Sequence, residues 1–414
     1  MATIDRTFHV DPATMHLYIE SLGKIGWQDE CGAVRLAYTP AWMEARKQLS
    51  AFMQAAGLEV REDAVGNLFG RLRGEDDSRT ILSGSHIDTV PCGGKYDGIL
   101  GILAGLGALK TLREQAGQPR RSLEVVALCE EEGSRYHATY WGNRAMWGMI
   151  RAEELDALRD ADDISIGEAM RAAGFPPERY HEAARSDIAM FLEMHIEQGR
   201  ILYDEHVELG IVEAIQGILK FQVTVHGRAE HAGATPMDIR RDAFQGAAQM
   251  ALDITRQVEE RGRPAVVTMG RWDVRPGGVN VIPSEVRFSI DLRHPDEATL
   301  RQLARVCSET CESVARRRGL EVTVEQIENY LPAGMDTALQ QTLIASAKTY
   351  GASWKYMVSG AGHDSEQMSR HVPAAMLFVP SVDGLSHNPA EYTPIEDVVR
   401  GVNVLTATLY QLAY

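Results

Sequence analysis

The sequence has few cysteines and no long hydrophobic run. Five of its 414 residues are cysteine, an odd number, and no two of them form a Cys-x-x-Cys pair. We therefore expect no disulfide framework and no thiolate metal site of the zinc-ribbon type. The longest apolar stretch, residues 98–109, is rich in glycine and too short to span a bilayer, so we expect no membrane partner.

Positively charged residues are also few: the sequence has 42 Lys and Arg but 58 Asp and Glu, and its formal net charge is -16 at pH 7. Nucleic-acid phosphates require clustered Lys and Arg, so we expect no nucleic-acid partner. A small anionic substrate is still compatible, because one local arginine can outweigh a remote, screened field. The first ten residues mix charged and polar side chains and do not resemble a secretory signal, which predicts a cytoplasmic location.

The pattern of apolar residues predicts two domains in a chain of this length. In the first third, apolar runs at 80–85 and 122–129 alternate with helical spacing at 40–56 and 97–112, which predicts an α/β fold with a parallel or mixed sheet. The middle follows the order β-α-β-β-α-β of a ferredoxin-like α+β unit. We therefore expect residues 214–329 to form an inserted domain, and residues 1–213 and 330–414 to form the other domain together.

Polar side chains follow the first apolar run, where open α/β sheets place their sites. His86 and Asp88 would lie on one face of an extended segment, and a carboxylate beside a metal-binding histidine can orient its ring. For these residues alone, a hydrogen-bonded loop histidine is the simpler interpretation. Asp97 follows in a glycine-rich segment, where capping of a helix explains it as well as metal binding does.

The run Glu130-Glu131-Glu132 follows the second apolar run and is the most informative motif. Adjacent carboxylates repel, so a strand end has little reason to gather them unless a cation is present. One of them can bind the cation while its neighbour acts as a general base, and a solvated acidic turn is the alternative. With the later histidines, the candidate ligands form a nitrogen-and-oxygen set that suits zinc, manganese, cobalt or nickel: His86, Asp97, Glu132, His195 and His387.

Nine motifs between residues 85 and 391 resemble the hydantoinase/carbamoylase amidases, which are relatives of aminoacylases and two-metal exopeptidases. In chain order they are SHIDTV, GGKYDG, EEEGSR, HIEQG, AEHAGATPM, GGVNVIP, IDLRH, SGAGHDS and SHNPAE. The resemblance implies an exopeptidase-like catalytic domain with a mixed sheet and two divalent metal ions per subunit. It also implies that the inserted domain serves as a lid and holds a homodimer together.

The resemblance further implies a role for each candidate ligand. His86 and His195 would hold one ion, Glu132 and His387 would hold the other, and Asp97 would bridge the two.

Further roles follow for residues beside the ligands. Asp88 would orient His86, and Glu131 would be the general base. The substrate would be bound by a set in which His231 also stabilises the oxyanion: Gln198, His231, Asn280, Arg293 and Gly362. From the residues alone, an exposed loop position for His231 and an ion pair of Arg293 with Asp291 or Asp296 are the simpler interpretations.

The implied reaction is metal-dependent hydrolysis of the ureido C–N bond of an N-carbamoyl-L-amino acid, which yields the L-amino acid, ammonia and carbon dioxide. Allantoate is an alternative substrate because the SGAGHD and YWG stretches look nearer to allantoate amidohydrolases, and N-carbamoyl-β-alanine is a third. Peptidase relatives usually carry an acidic ligand at the position of His195, which disfavours a peptidase. The intact Glu131 and ligand set disfavour a homologue that has lost catalysis.

Overall fold

The computed structural model describes residues 6–414, which divide into two compact units. Unit 1 runs to Glu213 and resumes at Met335, and unit 2 covers Ala214–Gly334. The insertion expected from the sequence, 214–329, starts at the same residue as unit 2 and ends five residues before it. Each unit has its own hydrophobic core.

The elements are numbered here in chain order. The first part of unit 1 contains α1 (Pro12–Gly23), β1 (Trp27–Gln28), β2 (Gly32–Ala33), α2 (Pro40–Ala55), β3 (Glu59–Glu62), β4 (Leu68–Leu72), β5 (Asp76–His86), α3 (Ile99–Ala116), β6 (Arg121–Leu128), α4 (Trp141–Met146), α5 (Glu154–Ala157), α6 (Ile166–Ala172), β7 (Ile188–Ile196), α7 (Ile201–Glu205) and β8 (Leu209–Ile215). Unit 2 continues with β9 (Gly217–His226), α8 (Ala243–Arg261), β10 (Val266–Thr268), β11 (Trp272–Arg275), β12 (Glu285–His294), α9 (Glu297–Arg318), β13 (Glu321–Tyr330) and β14 (Ala333–Gly334). The last part of unit 1 contains α10 (Thr337–Thr349), β15 (Trp354–Ser359), α11 (Asp364–Met368), β16 (Ala374–Val379) and α12 (Ile395–Ala413), and short 3-10 turns lie at Pro177–Ala183, Met237–Ile239 and Val382–Gly384.

Unit 1 is built around a mixed sheet with the strand order β8-β16-β7-β5-β6-β4-β3, which confirms the predicted fold class. The central strands β16, β7, β5 and β6 are parallel to one another, whereas β8 pairs antiparallel with β16, β4 with β6, and β3 with β4. Parallel strands are covered on both faces, so their sequences are continuously apolar instead of alternating. Strand β16 is buried along its whole length, as this rule requires.

Unit 2 has the predicted β-α-β-β-α-β order around an antiparallel sheet, β10-β12-β9-β13. Alternate residues of β9 are buried, among them Phe221, Val223 and Val225. Between α8 and β12 the chain forms two strands, β10 and β11, where the predicted order has one. The chain leaves β12 between them, where Ser289 donates its backbone N–H to Arg271 and its hydroxyl accepts from the backbone N–H of Arg271.

Cys31 and Cys92 form a disulfide, whereas the odd number of cysteines led us to expect no disulfide framework. Strand β2 brings the two together, because Ala33 and Gly93 exchange two backbone hydrogen bonds of 2.9 Å beside them. The pairing joins residues 61 positions apart, so no local motif indicated it. Cys307 and Cys311 are free and buried, as expected for small apolar side chains of a helix.

Most residues of helix α3 are buried, including those that face the sheet through Gly101 and Gly105. Within residues 6–414, no helix combines the length and the apolar composition needed to cross a membrane.

Candidate metal centre and active site

The predicted ligands come from neighbouring parallel strands. His86 is the last residue of β5, Glu132 follows β6, and His195 lies near the end of β7. Because β7, β5 and β6 are adjacent and parallel, their carboxyl ends meet at one edge of the sheet. Asp97 and His387 reach the same place from the segments before α3 and α12.

Asp97 lies at the centre of this group. Its Oδ1 is 3.2 Å from His195 Nε2 and 3.7 Å from His86 Nε2, and its Oδ2 is 3.1 Å from His387 Nε2. His387 Nε2 is in turn 3.5 Å from Glu132 Oε1. The residues thus form two candidate ligand groups that share Asp97, which is the arrangement needed for a carboxylate that bridges two ions.

The structure excludes the interpretation of Asp97 as a helix cap. Helix α3 starts after Gly98, and its first turn has no side-chain cap. Gly98 has a φ of +66°, and a side chain there would overlap the His86 ring. The carboxylate of Asp97 is therefore left for the three histidines around it.

Glu391 holds the backbone of this segment, a role that the sequence analysis missed. Its Oε2 accepts hydrogen bonds from the N–H groups of Tyr96 and Asp97, at 2.8 and 3.0 Å, and its Oε1 accepts one from the Ser386 hydroxyl at 2.9 Å. Burial and the charge of Asp97 raise the pKa of Glu391 to about 7. The available signal was the SHNPAE motif, which ends on this residue.

A second buried layer supports His195. Glu193 accepts hydrogen bonds from the Ser85 hydroxyl at 2.7 Å and from the hydroxyl and N–H of Ser365, at 2.7 and 2.9 Å. The ring of His363 contacts that of His195, with centroids 4.5 Å apart, and its Nε2 lies 2.8 Å from the Ser359 hydroxyl. Glu193 could have been found from the sequence, since it is two positions before His195 on a strand and so shares its face.

Asp88 contacts the site differently from the expectation. The atom beside His86 Nδ1, at 3.0 Å, is the backbone oxygen of Asp88. The Asp88 carboxylate instead accepts hydrogen bonds from the N–H groups of Glu131 and Glu132, both at 3.2 Å. This difference arises because the chain leaves the extended conformation after His86, so the two side chains no longer share a face. Asp88 therefore positions the acidic run.

Glu131 and Glu132 face different partners, as the predicted division of roles requires. Glu131 is buried, and its Oε2 lies 3.9 Å from His86 Nε2, whereas Glu132 contacts His387. Burial and the surrounding carboxylates raise the pKa of Glu131 well above its usual range and that of Glu132 to about 10.

The electrostatics fit a divalent cation. A cation among these carboxylates would lower their pKa values by stabilising the charged forms. Burial disfavours the charged form of His195, but its hydrogen bond to Asp97 and the Asp97 charge outweigh this and raise its pKa to about 9. The donors are imidazole nitrogens and carboxylate oxygens, which suit zinc, manganese, cobalt or nickel.

Two predicted substrate-binding residues lie in unit 1. The Nε2 of Gln198 donates to the Ser386 hydroxyl at 3.1 Å, one residue from His387. Its Oε1 is buried and has no hydrogen-bond partner within residues 6–414, so it is available to accept one from a ligand. Gly362 directly precedes His363 and is half-buried.

The other predicted substrate-binding residues lie in unit 2. His231 is exposed in a turn, where its Nδ1 accepts hydrogen bonds from the N–H groups of Gly233 and Ala234, both at 3.1 Å. This leaves Nε2 at the outer end of the ring. Asn280 is exposed, and its backbone oxygen accepts from Ala232 at 3.0 Å. Arg293 forms a two-pronged ion pair with Asp291, at 2.8 and 3.0 Å, which is the simpler interpretation given above.

Four of the five nitrogen and oxygen ligands are buried or half-buried, and His387 closes the group from the solvent side with half of its side chain exposed. Such a set around one shared carboxylate, with a second carboxylate beside it, is the arrangement of a metal-dependent hydrolase. Residues 82–411 match the family described as peptidase family M20/M25/M40. The chain therefore belongs to that family and is a hydrolase of carbon–nitrogen bonds.

Similar proteins agree with this assignment. The chain is 40% identical to an allantoate amidohydrolase of Bacillus subtilis over 398 residues, which are 96% of this chain and 97% of the relative. It is also 40% identical to an N-carbamoyl-L-amino acid amidohydrolase of Geobacillus stearothermophilus over 395 residues, 95% and 96% of the two chains. A solved hydantoinase/carbamoylase family amidase of Burkholderia multivorans superposes with a TM-score of 0.93 at 34% identity and 98% coverage of both chains. The resemblance to hydantoinase/carbamoylase amidases is confirmed.

Proposed function

We propose that this protein hydrolyses the ureido C–N bond of an N-carbamoyl-L-α-amino acid. The observation that carries the proposal is the pair of ligand groups sharing Asp97, with Glu131 buried beside them. The relatives support the choice of substrate, because their names refer to N-carbamoyl-L-amino acids and to allantoate, both of which contain ureido groups.

The residues divide into two metal sites. His86 and His195 would hold one divalent ion, Glu132 and His387 would hold the other, and Asp97 would contact both. When bound, the ions would polarise the ureido carbonyl and make a nearby water more acidic.

Glu131 would carry the proton. It takes a proton from the attacking water and passes it to the leaving nitrogen, which is the work of a general base followed by a general acid. The carbamic acid left after C–N cleavage loses carbon dioxide, so each turnover yields one amino acid, one ammonia and one carbon dioxide.

Unit 2 would complete the site in a homodimer, as the family resemblance implies. His231 would donate to the developing oxyanion, and a well-placed donor of this kind contributes roughly 3–4 kcal/mol to the transition state. Arg293 would bind the substrate carboxylate with its guanidinium fork, in exchange for Asp291. Gln198, Asn280 and Gly362 would contact the rest of the substrate.

Allantoate is the second candidate substrate. The Bacillus subtilis relative favours it, because that protein is named an allantoate amidohydrolase. The Trp141-Gly142 pair also favours it. This pair lies beside the acidic run, and the backbone N–H of Trp141 donates to the Glu130 carbonyl at 3.0 Å.

A substrate panel on metal-reconstituted protein tests the proposal by ammonia release. We expect kcat/KM to be highest for an N-carbamoyl-L-amino acid, lower for allantoate and N-carbamoyl-β-alanine, and negligible for a dipeptide. A higher value for allantoate would replace the proposed substrate, and hydrolysis of the dipeptide alone would refute the ureido chemistry.

A further inference from the structure

A buried polar chain beside the candidate site has no role in the function proposed above. The Tyr140 hydroxyl donates a hydrogen bond to Glu366 Oε2 at 3.1 Å, and Glu366 Oε1 accepts one from Arg370 at 3.1 Å. Tyr140 and Glu366 are only 7% and 4% exposed. Burying a phenol and a carboxylate is costly unless both are hydrogen-bonded, so their partners determine how they are oriented.

Tyr140 is tied to the acidic run through its backbone. Its N–H donates to the Glu131 carbonyl at 3.1 Å, and the next residue repeats the contact with Glu130 at 3.0 Å. Tyr140 itself has a φ of +62°, a conformation that this pair of bonds holds in place. Its side chain therefore starts from the immediate neighbourhood of the proposed base.

The hydroxyl reaches the segment that contains Gly362, His363 and Glu366. Glu366 belongs to α11, which directly follows His363, whose ring contacts that of His195. A side chain at Gly362 would overlap the Tyr140 hydroxyl, so this oxygen lies against the backbone of a half-buried residue that we expect to contact substrate. Tyr140 thus joins the segment that carries Glu131 to the segment beside His195.

The hydrogen-bond direction leaves the Tyr140 oxygen as an acceptor. The Tyr140 hydroxyl donates its proton to Glu366; burial raises the pKa of Glu366, whereas the hydrogen bonds from Tyr140 and Arg370 favour its charged form. Burial, followed by the charges of Glu131 and Glu366, raises the pKa of Tyr140 well above its usual range, which keeps the phenol neutral. With its proton engaged, the oxygen can only receive a further hydrogen bond.

We propose that Tyr140 determines specificity for ureido substrates, by accepting a hydrogen bond from the terminal NH2 of the group that is hydrolysed. This inference rests on the proposed function and adds to it an expected preference for ureido compounds over N-acyl compounds. An N-formyl amino acid has a C–H in place of that nitrogen and would leave the buried oxygen without a partner. Sites built around such a hydrogen bond discriminate strongly against analogues that lack it.

The test compares the N-carbamoyl and N-formyl forms of one L-amino acid on wild-type holoenzyme and on Tyr140→Phe. Each compound is measured as a substrate or, if it is not turned over, as a competitive inhibitor. We expect the variant to lose at least tenfold in kcat/KM or affinity for the carbamoyl compound and to change less than twofold for the formyl compound. Tyr136→Phe is the matched control, because Tyr136 is buried in the same segment and its hydroxyl has no hydrogen-bond partner within residues 6–414.

A second variant, Glu366→Gln, keeps the size of the side chain but can donate to the phenol and so release its proton. We expect this change to reduce the carbamoyl-to-formyl preference as well. An unchanged preference in both variants, or an equal loss for both compounds, would overturn the proposal in favour of a structural role. A wild-type enzyme that hydrolyses amides but no ureido compound would instead refute the proposed function, and the specificity role with it.

Discussion

Neighbouring residues of identical chemistry contact different partners in this site. Glu131 and Glu132 are held by the same Asp88 carboxylate through their backbone N–H groups, yet one side chain lies beside His86 and the other beside His387. Both residues lie in a bend after β6, where Glu130 has a φ of +54°, so adjacent carboxylates reach His86 and His387 from consecutive positions.

Replacing each glutamate separately should distinguish these tasks. We expect Glu131→Gln to retain both metal ions while kcat falls roughly 10²- to 10⁴-fold, since the proton acceptor is lost. Glu132→Gln should lower the metal content toward one ion per subunit. Metal analysis and ammonia release on the same samples provide the measurement, and wild-type turnover by Glu131→Gln would show that another group is the base.

Arg293 is a residue whose present partner and proposed partner differ. It pairs with Asp291 through both prongs of its guanidinium, the geometry that a substrate carboxylate would also use. We expect Arg293→Lys to lower kcat/KM at least tenfold for a substrate with a free carboxylate, because lysine retains the charge but not the fork. The carboxamide analogue is the control. If the ratio of kcat/KM for the carboxylate substrate to kcat/KM for the carboxamide analogue is the same in the variant as in the wild type, Arg293 has no role in binding substrate.

At the scale of elements, the segment from Cys92 to Asp97 is held at both ends. The disulfide to Cys31 and the backbone pairing of Gly93 with Ala33 fix its beginning, and Glu391 binds the N–H groups of its last residues. A carboxylate that must face three histidines needs such a rigid backbone, because a small displacement would remove it from one of them.

The disulfide can be tested by counting thiols. Without reductant, we expect three of the five cysteines to react in denaturant, and all five after reduction. Cys31→Ser should lower the unfolding free energy by about 2–4 kcal/mol, as is usual when a bridge is lost, and Cys307→Ser is a control at a free, buried thiol. Disulfides are rare in the cytosol, so five reactive thiols in protein isolated under blocking conditions would support the predicted cytoplasmic location and contradict the bridge.

At the scale of the whole molecule, metal should couple activity to stability. We expect a chelator to abolish ammonia release and to lower Tm, and zinc, manganese, cobalt or nickel to restore both. A ligand at 100 times its Kd stabilises the folded state by about 2.7 kcal/mol. Asp97→Asn removes the shared carboxylate, so adding metal should raise the Tm of this variant only slightly. Full activity in a sample shown to be free of metal would refute the metal centre.

The proposed homodimer makes a separate prediction. If His231 serves the site of the partner subunit, mixing Glu131→Gln with His231→Ala should restore activity, because each mixed dimer then has one complete site. Mixing Glu131→Gln with Glu132→Gln is the matched control, since both changes lie in unit 1 and should not complement each other. If subunit exchange is verified and no activity is recovered, His231 does not act in the site of the partner subunit.

The amino-acid sequence by itself determined the elements and the candidate ligands. Buried parallel strands require continuous apolar runs, and polar residues directly after them mark the edge of the sheet, which is how His86 and Glu132 were found. The alternation along 219–225 and the helical spacing of 296–318 indicated unit 2 for the same local reason. These features repeat over a few residues, so they can be read without knowing the fold.

Only the tertiary structure decided which partners the side chains of these elements contact. It placed Asp97 between the two ligand groups and not at a helix cap, directed the Asp88 carboxylate to the acidic run, and joined Cys31 to Cys92. It also brought Tyr140 to Glu366, 226 positions along the chain. Each of these contacts joins residues that are distant in sequence, and their hydrogen-bond geometry depends on how strands and loops pack in space. No local periodicity encodes such a contact, because the energy that selects it arises only when both partners are buried together.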